Sequence, residues 1–99
     1  MNDAVMFDYQ TKIIKVIEIF FPNAKIYFFG SRARGDFDER SDFDIAIDIG
    51  QRMPITQRGQ IMSMIDALNI IQKVDIVDFH AIPEKMQKII LTEGIVWKK

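Results

Sequence analysis

Cysteine is absent from the 99 residues of the chain. That excludes a disulfide scaffold, a thiol nucleophile and a zinc site built on thiolates, and it fits a reducing cytoplasm. An excess of one charge is missing too: 13 basic side chains stand against 14 acidic ones, a net charge of −1. A general nucleic-acid binder needs surplus Lys and Arg to displace counterions, so direct nucleic-acid binding is not expected. No apolar run approaches the ~18 residues of a membrane span. Met1-Asn2-Asp3-Ala4 has an early acid and no basic stretch, unlike a signal peptide. The hydrophobic share of 48% is nevertheless that of a folded protein rather than a disordered one. The expectation is one soluble, cytoplasmic domain over residues 1–99, with a small core.

What is present is periodic. Met6, Tyr9, Ile13, Val16, Ile17 and Phe20 recur at three- and four-residue steps, which predicts a helix over 4–20 with Asp3 as its N-cap and Pro22-Asn23 as its stop. Residues 25–29 form a short apolar run that reads as a buried strand. In 43–49, Phe43, Ile45, Ile47 and Ile49 alternate with Asp44, Ala46 and Asp48, the period of a strand with two unlike faces. Ile61, Met64, Ile65, Leu68 and Ile71 form the stripe of a helix over 55–72. A third strand is expected at 74–79, a last helix from Pro83 to before Gly94, and an edge strand at Ile95-Val96-Trp97. The order αβ(turn)βαβα gives an α/β (α+β) fold, a sheet packed by amphipathic helices, with the strands at 43 and 74 parallel across their helical crossover.

The chemistry gathers around the alternating strand. Asp42 and Asp44 project from one face with Cα atoms roughly 6.5–7 Å apart. Carboxylates that close stay ionised at neutral pH if they share a cation or lie in open water. Mg²⁺ takes one or two carboxylates and completes its shell with water and phosphates. Gly30-Ser31 directly follows the buried strand, and a helical turn beginning at Ser31 would aim N–H groups at an anion. Arg32 and Arg34 lie in that turn, and their guanidinium forks suit phosphate. Asp75, near the start of the parallel neighbour strand, could reach Asp42 and Asp44; Asp78, its rival, points to the opposite face.

Gly30-Ser31, ten residues, Asp42-Phe43-Asp44, then Asp75 in a later strand resembles the signature of the DNA polymerase β-like nucleotidyltransferases, and within them the minimal nucleotidyltransferase (MNT) branch. The resemblance implies the nucleotidyltransferase fold, a mixed sheet with flanking helices, with ATP or another NTP as nucleotide donor and two Mg²⁺ ions. Asp42 and Asp44 would hold both metals, and Asp75 would hold the catalytic one and help activate the incoming hydroxyl. Gly30 and Ser31 would hold the terminal phosphates with Arg34, and Arg32 would be a helper. It further implies an antitoxin role: transfer of AMP to a tyrosine of a HEPN-domain ribonuclease toxin, in a hetero-oligomer and with a homodimer as a further possibility. A binding module that neutralises its partner by complex formation alone is the alternative, and transfer to a small hydroxyl compound a third. His80 reads as a loop or surface residue, Trp97 and the phenylalanines as packing, and Met62, Met64 and Met86 as core or interface filler. Asp36, Asp38, Glu39 and Arg40 read as a solvated loop, and Asp48 as lying too deep for the metal site. Ile90, Leu91, Ile95 and Trp97 form a subunit contact or complete the core.

Overall fold

A computed structural model describes residues 3–35 and 42–99, with side chains from residue 6 onward. Asp36, Asp38, Glu39 and Arg40 lie outside the described residues, as does the side chain of Asp3. The elements run α1 (Asp3–Phe20), β1 (Lys25–Phe29), α2 (Ser31–Arg34), β2 (Phe43–Asp48), α3 (Ile55–Asp66), β3 (Val74–Asp78), a 3₁₀ turn (Phe79–Ala81), α4 (Glu84–Glu93) and β4 (Ile95–Lys98). The sheet order is β3-β2-β1-β4. β2 and β3 are parallel, and β1 is antiparallel to both β2 and β4, so the sheet is mixed.

Alternation along the strands creates two unequal faces. One carries Ile26, Phe28, Phe43, Ile45, Ile47, Val74 and Ile76 against Ile13, Val16 and Ile17 of α1 and Ile61 and Ile65 of α3. This is the main core, and Trp97 of β4 extends it by stacking on Phe28 with ring centres 4.9 Å apart. The other face has a smaller cluster of Phe29, Ala46, Phe79 and Ile90. Helix α4 covers only part of that face, and Asp44, Asp48 and Asp75 stand on the same face of β2 and β3.

The strands end one residue earlier than the periodicity suggests, at Asp48 and Asp78, and α3 ends well before residue 72. Past Asp66 the chain tightens through N–H donation from Leu68 to Ile65 and from Asn69 to Asp66, and Asn69 adopts φ 56°. Asparagine tolerates that left-handed conformation, which no helix continues through. Leu68 still packs on the core, but Ile71 is 87% exposed and Met64 is also exposed, so the predicted stripe holds only to Ile65. Met86 lies on the exposed side of α4, whereas Ile90 is buried. Among the described residues no helix is long and apolar enough to cross a membrane.

Asp78 closes the far end of β3. Its buried carboxylate accepts the Met53 N–H at 2.7 Å and the His80 N–H at 3.1 Å, tying the α3 approach and the 3₁₀ turn to the strand. Asp78→Ala leaves both donors unmatched and is expected to cost about 2–3 kcal/mol in urea unfolding. Nucleotide binding by the folded variant should be unchanged.

Candidate functional site

β1 runs into Gly30, whose φ of 82° and ψ of −163° lie in a region open only to glycine. A Cβ at Gly30 would lie 2.1 Å from Oδ2 of Asp44. The missing side chain is therefore what admits the Asp44 carboxylate beside the turn. Ser31 opens α2, a single turn closed by Gly35. The first N–H groups of such a turn lack acceptors within the helix, and they lie next to that carboxylate edge.

Asp44 is paired across the sheet with Phe29 on one side and with Asp75 on the other. Partners in register present their side chains on the same face, so Asp44 and Asp75 stand side by side, with Asp42 two residues before Asp44. The electrostatics agree: the Asp44 carboxyl is raised above the usual carboxylate range, first by burial and then by the charges of Asp75 and Asp42. Arg34 and Lys73 pull in the opposite direction. Arg34 also lies 3.9 Å from Glu93 at the end of α4.

The structure thus brings Gly30, Ser31, Arg34, Asp42, Asp44 and Asp75 to one end of the sheet, where β1 finishes and β2 and β3 begin. Arg32 goes elsewhere: it is 8% exposed, and its guanidinium carbon lies 4.6 Å from the ring centre of Phe43, on the core face. Its place is under the turn, not at the phosphate side expected from its type. Asp78 is occupied by backbone donors, as its opposite orientation suggested.

Lys73 was not singled out in the sequence, although it immediately precedes β3 and reaches the field of Asp44. His80 is exposed on the 3₁₀ turn, in keeping with a loop or surface residue, but it has a partner. Its Nε2 lies 2.6 Å from Oδ1 of Asp48, which also accepts the Gly50 N–H. Nothing local in the sequence signals that pair, because the two residues meet only through the parallel register of β2 and β3.

Among the described residues no three His, Cys, Asp or Glu side chains are drawn together as a ready-made metal cage. The donor set nonetheless suits a hard divalent cation. It offers carboxylate oxygens from adjacent strands whose mutual repulsion, felt at Asp44, a cation would relieve. Mg²⁺ needs only one or two such protein ligands, the rest being water and phosphate oxygens.

The family model for polymerase beta nucleotidyltransferases matches residues 11–98. Several solved structures share the fold. One is a toxin–antitoxin with AMP-PNP, 28% identical with a TM-score of 0.73, covering 89% of this chain and 71% of that one. Another is the tri-AMPylated Shewanella oneidensis HEPN toxin in complex with MNT antitoxin, 25% identical with a TM-score of 0.68, covering 90% of this chain and 68% of that one. A minimal nucleotidyltransferase, 21% identical with a TM-score of 0.72, covers 96% of this chain and 95% of that one and speaks for the fold alone. No curated protein sequence matches the chain. With the match of the family model spanning all but the chain's ends, the protein belongs to the polymerase beta nucleotidyltransferase family.

Proposed function

We propose that the protein transfers AMP from ATP to a tyrosine hydroxyl of a HEPN-type toxin and so acts as its antitoxin in the cytoplasm, with residues 1–99 forming one minimal nucleotidyltransferase domain. The observation that carries this reading is the register of Asp44 against Asp75 beside the bare Cα of Gly30. It supports a site where triphosphate and carboxylates meet. The relatives solved with AMP-PNP and with an AMPylated HEPN toxin support the donor and the partner.

In this reading the tyrosine oxygen bonds to the α-phosphorus of ATP, the bond from that phosphorus to the bridging oxygen breaks, and pyrophosphate leaves. Asp42, Asp44 and Asp75 would hold Mg²⁺, two ions by the family pattern, which when bound neutralises triphosphate charge and favours the ionised hydroxyl. Ser31 and the N–H groups of its turn hold the terminal phosphates, and Arg34 adds a guanidinium on the same side. Gly30 keeps the backbone close enough for that contact. Asp75 stands on the outer strand, where the hydroxyl arrives, and its carboxylate oxygen helps draw off the phenolic proton. A bulky anion on the toxin then repels RNA.

The test is the mass of a HEPN-type protein co-expressed with this chain. Addition of one or more AMP groups with the wild type, and none with Asp75→Ala, is the expected outcome. An unmodified partner bound equally well by both would favour the alternative, neutralisation by complex formation alone.

A further inference from the structure

We infer that the acceptor lies in a groove along the free edge of β3, and that Arg52 and Arg58 select a hydroxyl-bearing segment with acidic neighbours; this rests on the transferase reading above. β3 is an outer strand of the sheet. Along it runs a groove of about 610 Å³ whose walls include Asp75, Arg52, Arg58, Ile55 and Ile82. That volume takes an aromatic side chain and some of the backbone on either side of it. Because Asp75 belongs to the wall, the groove opens directly onto the carboxylate edge.

The wall of the groove carries two arginines and two aspartates, but Asp75 is committed to the cation of the proposed site, which leaves Arg52 and Arg58 to meet an anionic occupant. Asp78 also lines it, but both of its oxygens are turned to the N–H groups of Met53 and His80. Arg58 is held in place by one of its five donors, Nη2 giving 2.8 Å to the Ile76 carbonyl, and it stays exposed. Arg52 is exposed as well. Ile55 is 88% exposed at the start of α3 and forms an apolar lip. A guanidinium pair beside apolar surface suits a peptide carrying carboxylates around an aromatic residue.

These arginines are poorly placed for the donor's triphosphate. The phosphate turn follows β1, two strands away, or about 10 Å across the sheet. Donor and acceptor therefore approach from opposite sides of Asp44.

The experiment compares two fluorescent tyrosine peptides, one with aspartates flanking the tyrosine and one with lysines, binding to the full chain with AMP-PNP and Mg²⁺. The aspartate peptide should bind about tenfold more tightly, in a salt-dependent way. Arg52→Glu should erase or invert that order while leaving AMP-PNP affinity unchanged. Arg58→Glu should act in the same direction, with its fold checked by thermal melting because it also loses the Ile76 contact. Equal binding of the two peptides to the wild type would overturn the proposal. So would an Arg52→Glu variant that weakens both peptides alike, or a short single-stranded RNA that displaces the aspartate peptide. Selective, Arg52-dependent binding without AMP transfer to either peptide would support the groove and count against the transferase reading, so the two fail separately.

Discussion

Asp44→Asn is expected to lower AMP transfer by about a thousandfold or more and, at the same time, to raise the melting temperature at neutral pH. The loss follows from removing the carboxylate that faces both the Gly30 turn and Asp75. The gain follows from electrostatics. Burial, then Asp75 and Asp42, raise the Asp44 carboxyl above its ordinary value. An acid raised on folding stabilises the native state while it is protonated, below its unfolded pKa, and that contribution is lost as pH rises through its folded pKa. At neutral pH the ionised group therefore opposes folding, and the neutral isostere removes the penalty. Melting curves without divalent ions should show the variant above the wild type at pH 7, with the difference shrinking as the solution is acidified toward pH 4. Adding ATP and Mg²⁺ should raise the wild type only. A variant that melts below the wild type at pH 7 would contradict this account.

Gly30→Ala is expected to abolish transfer and to destabilise the protein by about 2–4 kcal/mol. Part of the loss is conformational: the backbone angles of Gly30 cost an L-residue about 1–3 kcal/mol. The rest is the collision of the new methyl with Asp44 Oδ2. Gly50→Ala separates the two effects. Gly50 has φ 85° but nothing within 4 Å of a built Cβ, so it should lose about 1 kcal/mol and keep its transfer activity. Urea unfolding and AMP-transfer rates on the two variants measure the difference. Comparable activity losses would mean that crowding of Asp44 is not the cause.

Much of the arrangement was legible because it is written in short-range patterns. Period-two alternation in 43–49 announced a strand with Asp44 on its polar face, and Gly30-Ser31 after an apolar run announced the turn. The parallel crossover then foretold that the starts of β2 and β3 would meet, and the register pairs Asp44 with Asp75. Long-range or conformational features were hidden. The apolar residues Leu68 and Ile71 extend the helical rhythm past Asp66, and only the left-handed Asn69 reveals the stop. Arg32 reads by its type as a phosphate-side helper, yet tertiary packing sets it on Phe43. Asp48 and His80 are neighbours by sheet register alone. Arg52 and Arg58 lie in stretches where charge ordinarily means solvent, and only the free edge of β3 gives them a shared groove.

The strand that carries Asp75 lies at the sheet's margin and is joined through a crossover, whereas β1 and β2 form a local antiparallel pair. Nonlocal parallel pairings form late in folding, and marginal strands are the first to open in the native state. On that order the turn and Asp44 would be assembled before Asp75 docks. Completion of the proposed carboxylate site would therefore wait on the docking of β3, the same step that buries Val74 and Ile76 in the main core.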